Sequence, residues 1–140
     1  FRFLPNGWPM FCCRCSLKIR MGPSCLAMML FTARITSDRS NIEEILDIFS
    51  SVRGQISATS GCMGIRICRE YADEVIIVYQ EMWQSRERIV KHICSPLFRS
   101  IMAAIDMSVK PPEIRFSTIE KAEGMELIRE VLDPRSQERA

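Results

Sequence analysis

The chain has 140 residues, 47% of them hydrophobic and 26% charged, which suits one globular domain with a buried core and excludes disordered and fibrous classes. A net charge of +2, from 19 Lys and Arg against 17 Asp and Glu, leaves no basic footprint for nucleic acid. The longest uncharged stretch, Met21 to Ala33, has 13 residues and contains Gly22 and Pro23, short of the about 20 apolar residues that span a membrane.

Residues 1–27 differ from the rest. They hold four of the seven cysteines (Cys12, Cys13, Cys15, Cys25) and four basic residues with no acidic one, leaving 15 basic and 17 acidic residues beyond them. They show neither strand nor helix periodicity, and are expected to be a disordered or non-native extension, with Met28 or Met29 as the natural start. An ordered arm is the alternative. The cysteines lack paired CxxC spacing and a nearby histidine, which argues against zinc. Arg14, Lys18 and Arg20 precede the apolar run Cys25 to Phe31, but no small-residue cleavage site follows. Cys62, Cys68 and Cys94 form no pairing pattern and suit a reducing cytoplasm, as small buried hydrophobes.

From residue 28 the periodicities sharpen. Met29, Phe31, Ala33 and Ile35 alternate with Leu30, Thr32, Arg34 and Thr36, which predicts a strand with one buried face. Ser40-Asn41-Ile42-Glu43 matches a capping box. Behind it Ile42, Ile45, Leu46, Phe49, Val52 and Ile56 form a helical stripe, ended by Ser60-Gly61. Met63, Ile65 and Ile67 alternate with Gly64, Arg66 and Cys68 as a second strand, and Arg69 to Asp73 make a hairpin connection.

Glu74 to Trp83 is the third strand, with Val75, Ile77, Tyr79, Glu81 and Trp83 on one face and Ile76, Val78, Gln80 and Met82 on the other. Both faces are largely apolar, so a central strand covered on both sides is expected. Ser85 caps a short helix whose inward residues are Ile89 and Ile93, and Ser95-Pro96 starts another with the stripe Leu97, Phe98, Ile101, Met102 and Ile105. Pro111-Pro112 breaks it. Ile114, Phe116 and Thr118 mark a fourth strand, and Met125, Ile128, Val131 and Leu132 a tail helix, before a frayed end at 133–140.

The order is strand, helix, strand, strand, broken helix, strand: an α+β, ferredoxin-like β-α-β-β-α-β fold over residues 28–132, with an antiparallel sheet and helices on one face. The uncovered sheet face predicts a homodimer. The fold alone assigns no activity.

Four segments carry a resemblance. Ser60-Gly61-Cys62-Met63-Gly64, Glu81-Met82-Trp83, His92 with Ser95-Pro96-Leu97-Phe98-Arg99, and Pro112-Glu113-Ile114-Arg115-Phe116 resemble the antibiotic biosynthesis monooxygenase superfamily, especially its quinol-monooxygenase-like members. The resemblance covers residues 28 to 132. It implies a dimer with a pocket between sheet and helices, and oxidation of a small aromatic or quinol substrate by molecular oxygen without cofactor or metal. Such a pocket needs a general base, donors for an anionic oxygen and a dry aromatic cavity.

His92, the single histidine, suits a base or hydrogen-bond donor, or else a buried structural histidine. Trp83 would wall the pocket or simply pack the core. Glu81, a carboxylate between Tyr79 and Trp83 on an apolar face, is costly unless paired. It is either an acid-base group or the partner of Arg34 or Arg66. Tyr79 and Phe98 are candidate walls, and Arg34 a candidate oxyanion partner or a rim charge. Heme-degrading relatives use an asparagine on the first strand with a tryptophan and a histidine. Met28 to Thr36 contains no asparagine, which argues against heme degradation and leaves heme binding open. A non-catalytic dimeric ligand-binding or scaffold module is the alternative reading, with Met82 and Met102 filling the pocket space.

Overall fold

A computed structural model describes residues 27–137. The expected extension through residue 26, and the zinc and export readings of its cysteines and basic residues, lie outside the described residues. The elements are β1 (Met28–Ser37), α1 (Ile42–Ser57), β2 (Cys62–Glu70), β3 (Val75–Trp83), α2 (Arg86–Ile93), α3 (Pro96–Ile105), β4 (Glu113–Ile119), α4 (Met125–Leu132) and the short α5 (Pro134–Gln137). The strands form one antiparallel sheet in the order β2-β3-β1-β4, the ferredoxin-like arrangement.

The core lies between the sheet and α1 to α3. Strand alternation turns Met29, Phe31, Ala33 and Ile35 of β1 and Ile77, Tyr79, Glu81 and Trp83 of β3 toward the helices. Against them pack Ile45, Phe49, Val52 and Ile56 of α1, Ile89 of α2, and Phe98, Ile101, Ala104 and Ile105 of α3. Each fully buried Ile, Val, Met or Phe among them contributes about 1.5–3 kcal/mol. Where β1 places the small Ala33 opposite Tyr79, the ring of Phe49 lies on Tyr79 with centroids 4.4 Å apart.

Local details depart from the sequence expectations. The capping box is not formed: the cap of α1 is Asn41, whose side chain makes no cap bond. Instead Asp38 Oδ1 accepts from the backbone N–H of Ser40 and Asn41 and from the Ser40 hydroxyl. These bonds, that of the hydroxyl foremost, hold the Asp38 carboxyl below its usual range. The helix stops at Ser57, ahead of the predicted Ser60-Gly61. On α2 the inward partner of Ile89 is His92, three residues on, while Ile93 is exposed. Cys68 is exposed and Cys62 and Cys94 are half-buried, so none is the buried hydrophobe expected.

A bulge in β2 explains a further difference. Cys62 pairs with Trp83 but Gly64 pairs with Met82, leaving Met63 as the extra residue. A bulge shifts strand parity by one, so Cys62 rather than Met63 joins Ile65 and Ile67 against the core, and Met63 is exposed.

The other sheet face is mixed in character. Leu30, Val78 and Met82 share it with Thr32, Gln80 and Arg115, and Arg34 there bridges Glu70 at 2.8 Å and Glu113 at 3.1 Å. At the β4 edge Ile114 and Phe116 face the helix side yet stay 38% and 44% exposed. No residue of α4 is buried. Among the described residues no helix is long and apolar enough to cross a membrane.

Phe49 is fully buried between α1 and Tyr79. Phe49→Ala is expected to cost about 3–5 kcal/mol, read from the midpoint of denaturant unfolding.

Candidate functional site

Period-two geometry puts Tyr79, Glu81 and Trp83 side by side on the buried face of β3. With the Glu81 carboxylate between them, both neighbours reach it with polar tips: Tyr79 Oη donates to Oε1 at 2.7 Å and Trp83 Nε1 to Oε2 at 2.9 Å. The third donor comes from above. His92 Nε2 lies 3.0 Å from Oε2 and 3.2 Å from Oε1. Glu81, Tyr79 and Trp83 have no solvent exposure and His92 has 3%. Among the described residues no buried side-chain nitrogen or oxygen lacks a partner, so burial of this polar group is compensated throughout.

The local sequence delivers His92 to that spot. β3 ends at Trp83, and the Ser85 side chain accepts from Arg88 N to start α2 after a two-residue connection. Gln84 N–H donates to Gly61 O at 2.8 Å, and Gly61 has φ +95°. A Cβ at Gly61 would stand 2.5 Å from Arg88 Cγ. Glycine therefore serves both the left-handed turn and the close approach of α2 to the start of β2.

The hydrogen bonds fix roles. A carboxylate only accepts, so the His92 nitrogen that faces it, Nε2, carries the hydrogen. In the neutral ring Nδ1 is then the acceptor, and Ser95 Oγ lies 3.4 Å from it. Burial first, then the charge of Glu81 and the bond to it, push the Tyr79 phenol far above its ordinary value. Tyr79 thus remains a donor. Burial foremost raises the Cys62 thiol, and the charge of Glu81 adds to this, while a backbone hydrogen bond at Gly64 opposes it.

Rings enclose the polar group. Trp83 stacks on His92 with centroids 4.7 Å apart, and Phe98 meets His92 edge-on at 5.4 Å. Phe98 touches Phe31 at 5.5 Å, and Phe31 stacks on Phe116 at 4.9 Å. A continuous aromatic path therefore joins the buried histidine to the half-exposed Phe116 at the sheet edge.

Of the six residues singled out from the sequence, His92, Glu81, Trp83, Tyr79 and Phe98 come together. Arg34 does not. It projects from the opposite sheet face, where its bonds to Glu70, with the nearby Glu113 charge, hold the guanidinium firmly protonated. The expectation that Arg34 or Arg66 pairs with Glu81 is corrected for the same reason: even-numbered positions of β1 and of β2 beyond its bulge face away from Glu81. Met82 also lies on that far face, while Met102 is partly buried against the core. Sequence reasoning misses Cys62, hidden by the bulge, and Ser95, whose place before Pro96 signals a helix cap and nothing more. It also misses Phe31, Phe49 and Phe116, whose strand or helix spacing says core without saying which ring they meet.

The sequence profile of the antibiotic biosynthesis monooxygenases matches residues 28–104. No curated protein matches the chain. Solved structures do. A conserved protein from Methanosarcina mazei aligns with a TM-score of 0.61 at 17% identity, over 69% of this chain and 97% of that one. A Mycobacterium tuberculosis protein gives 0.59 at 17% identity, over 69% and 99%. A Nitrosomonas europaea protein provisionally described as an antibiotic biosynthesis monooxygenase gives 0.60 at 14% identity, over 69% and 94%. These likenesses establish the fold, and the profile, which spans more than half of the sequence, establishes the lineage: the chain belongs to the antibiotic biosynthesis monooxygenase family.

Proposed function

We propose that the protein is a cofactor-independent monooxygenase that oxidises a small aromatic substrate, a phenol or quinol, with molecular oxygen in the cytoplasm. The observation that carries this reading is the His92 ring, held by Glu81 and enclosed by Trp83 and Phe98 at the inner end of an aromatic path. Oxygen in its triplet ground state reacts slowly with closed-shell molecules. A substrate hydroxyl that gives its proton to His92 leaves an electron-rich anion, which can pass one electron to oxygen. Glu81 steadies the imidazolium formed, Trp83 and Phe98 supply apolar walls, and Tyr79 holds the carboxylate in place. The path through Phe98, Phe31 and Phe116 suits a planar ring better than a flexible or charged ligand.

The proposal includes a homodimer. The mixed but uncovered sheet face and the unburied α4 with its exposed Met125, Ile128, Val131 and Leu132 favour a second copy. Sedimentation of the purified chain is expected to give twice the monomer mass, and a monomer at all concentrations rejects this part.

The direct test is oxygen uptake with a panel of phenols and hydroquinones. Turnover is expected to survive a metal chelator and to fall about 10²-fold in His92→Ala. Uptake no faster than protein-free autoxidation overturns the reading.

One observation favours the alternative, a non-catalytic module: every polar atom of the Glu81 group is already bonded within the core. Glu81→Ala leaves three donors without their acceptor and is expected to destabilise the fold by about 3–5 kcal/mol under either reading. Oxygen uptake separates the two readings, and Glu81→Gln tests the part Glu81 plays in the first. The substitution preserves an acceptor for Tyr79 or Trp83 but no longer enforces Nε2–H on His92, so turnover is expected to drop about 10²-fold while the protein stays folded. A folded Glu81→Gln protein with full turnover assigns Glu81 to structure alone.

A further inference from the structure

The two ring nitrogens of His92 meet different surroundings, Nε2 the buried Glu81 and Nδ1 the half-exposed Ser95. Tyr79, Glu81 and Trp83 around it are fully buried, and their polar atoms bond to one another. Among the described residues, the hydrogen bonds leading outward from this group end at Ser95, which is half-exposed. The Ser95 hydroxyl caps α3 by accepting Phe98 N–H at 3.3 Å, and also lies 3.4 Å from His92 Nδ1. The same hydroxyl therefore touches a helix start, a buried imidazole and the protein surface.

We infer that the Ser95 hydroxyl is the route by which the buried His92 exchanges protons with solvent, through Nδ1. In the neutral ring Nε2–H stays on Glu81, and Ser95 O–H donates to the bare Nδ1. When the ring gains a proton, Nδ1–H forms and donates to a free lone pair of Ser95 Oγ, whose own hydrogen turns to water; the second lone pair still takes Phe98 N–H. Release reverses this: the Nδ1 proton moves to Ser95 Oγ as the Ser95 proton passes to water, and the net change is one proton from His92 to solvent. A 3.4 Å contact is long for a hydrogen bond, and rotation of the hydroxyl makes and breaks it readily. Neither neighbouring acid competes for the proton. The Tyr79 phenol and the Cys62 thiol are both held protonated by burial and by the charge of Glu81. The inference deepens the role proposed for His92 as a base and rests on it.

Because the chain has one histidine, its ring nitrogens are unambiguous in ¹⁵N NMR of the intact protein without substrate. The wild type is expected to show protonated Nε2 and bare Nδ1 in the neutral ring, with one averaged set of resonances moving through the titration. Ser95→Ala is expected to slow exchange between the two protonation states by about 10²-fold, which broadens or splits the resonances. Ser95→Thr should restore averaging. Ser85→Ala removes the equivalent cap of α2 without touching His92 and should leave exchange unchanged. If Ser95→Ala does not fold, Ser95→Gly removes the hydroxyl at smaller cost to the helix start. Unaltered exchange without the hydroxyl, an Nδ1–H neutral tautomer, or a ring that does not titrate while the protein is folded overturns the inference. Since the readout needs no turnover, Ser95-dependent exchange in a protein that consumes no oxygen would reject the monooxygenase reading alone.

Discussion

A carboxylate with no contact to water constrains everything around it. Left alone in an apolar core, Glu81 would be heavily destabilising, and each donor that compensates it demands a specific placement. Tyr79 and Trp83 must stand two residues to either side on an unbroken strand, and His92 must descend from a helix that starts promptly after that strand. The tight passage at Gly61, which lets α2 lie close to the start of β2, is thus a condition for satisfying a charge on the next strand.

The sheet separates two kinds of electrostatics. Arg34, Glu70 and Glu113 tie β1 to β2 and β4 across the open face, where water screens them and the contribution to stability is small. On the sealed face the Glu81 bonds work in a drier medium where geometry matters more. Strand parity keeps the two sets apart: Arg34 faces away from Phe31, the residue opposite Glu81, so the nearest arginine on β1 cannot reach the buried carboxylate.

Much of this was legible in the sequence because strand and helix periods are simple. The alternation of β1 and β3 and the stripe of α1 gave the fold, and the same alternation exposed Glu81 as out of place. The five residues that meet around Glu81 and His92 are singled out from that pattern together with the family resemblance. What stayed hidden depends on departures from simple periods or on pairing at a distance. The Met63 bulge inverts the parity of β2 and brings Cys62 inward. A turn closed by Asp38 ahead of α1 stands where the local sequence also permits a capping box. Which carboxylate Arg34 finds depends on strand order, which no local pattern states.

The polar chemistry and the walls around it come from different parts of the chain. Tyr79, Glu81, Trp83, His92 and Ser95 lie within residues 79–95, folded by one strand, one tight connection and one short helix. Phe31 and Phe49, whose rings meet Tyr79, arrive from β1 and α1, and Phe116, stacked on Phe31, from β4. Substitutions in those distant segments can widen, narrow or tilt the enclosure while leaving every hydrogen bond to Glu81 intact. Under the function proposed above, the acid-base group is thus a contiguous cassette and ligand preference a scattered property, so changes of specificity can accumulate without passing through an inactive intermediate.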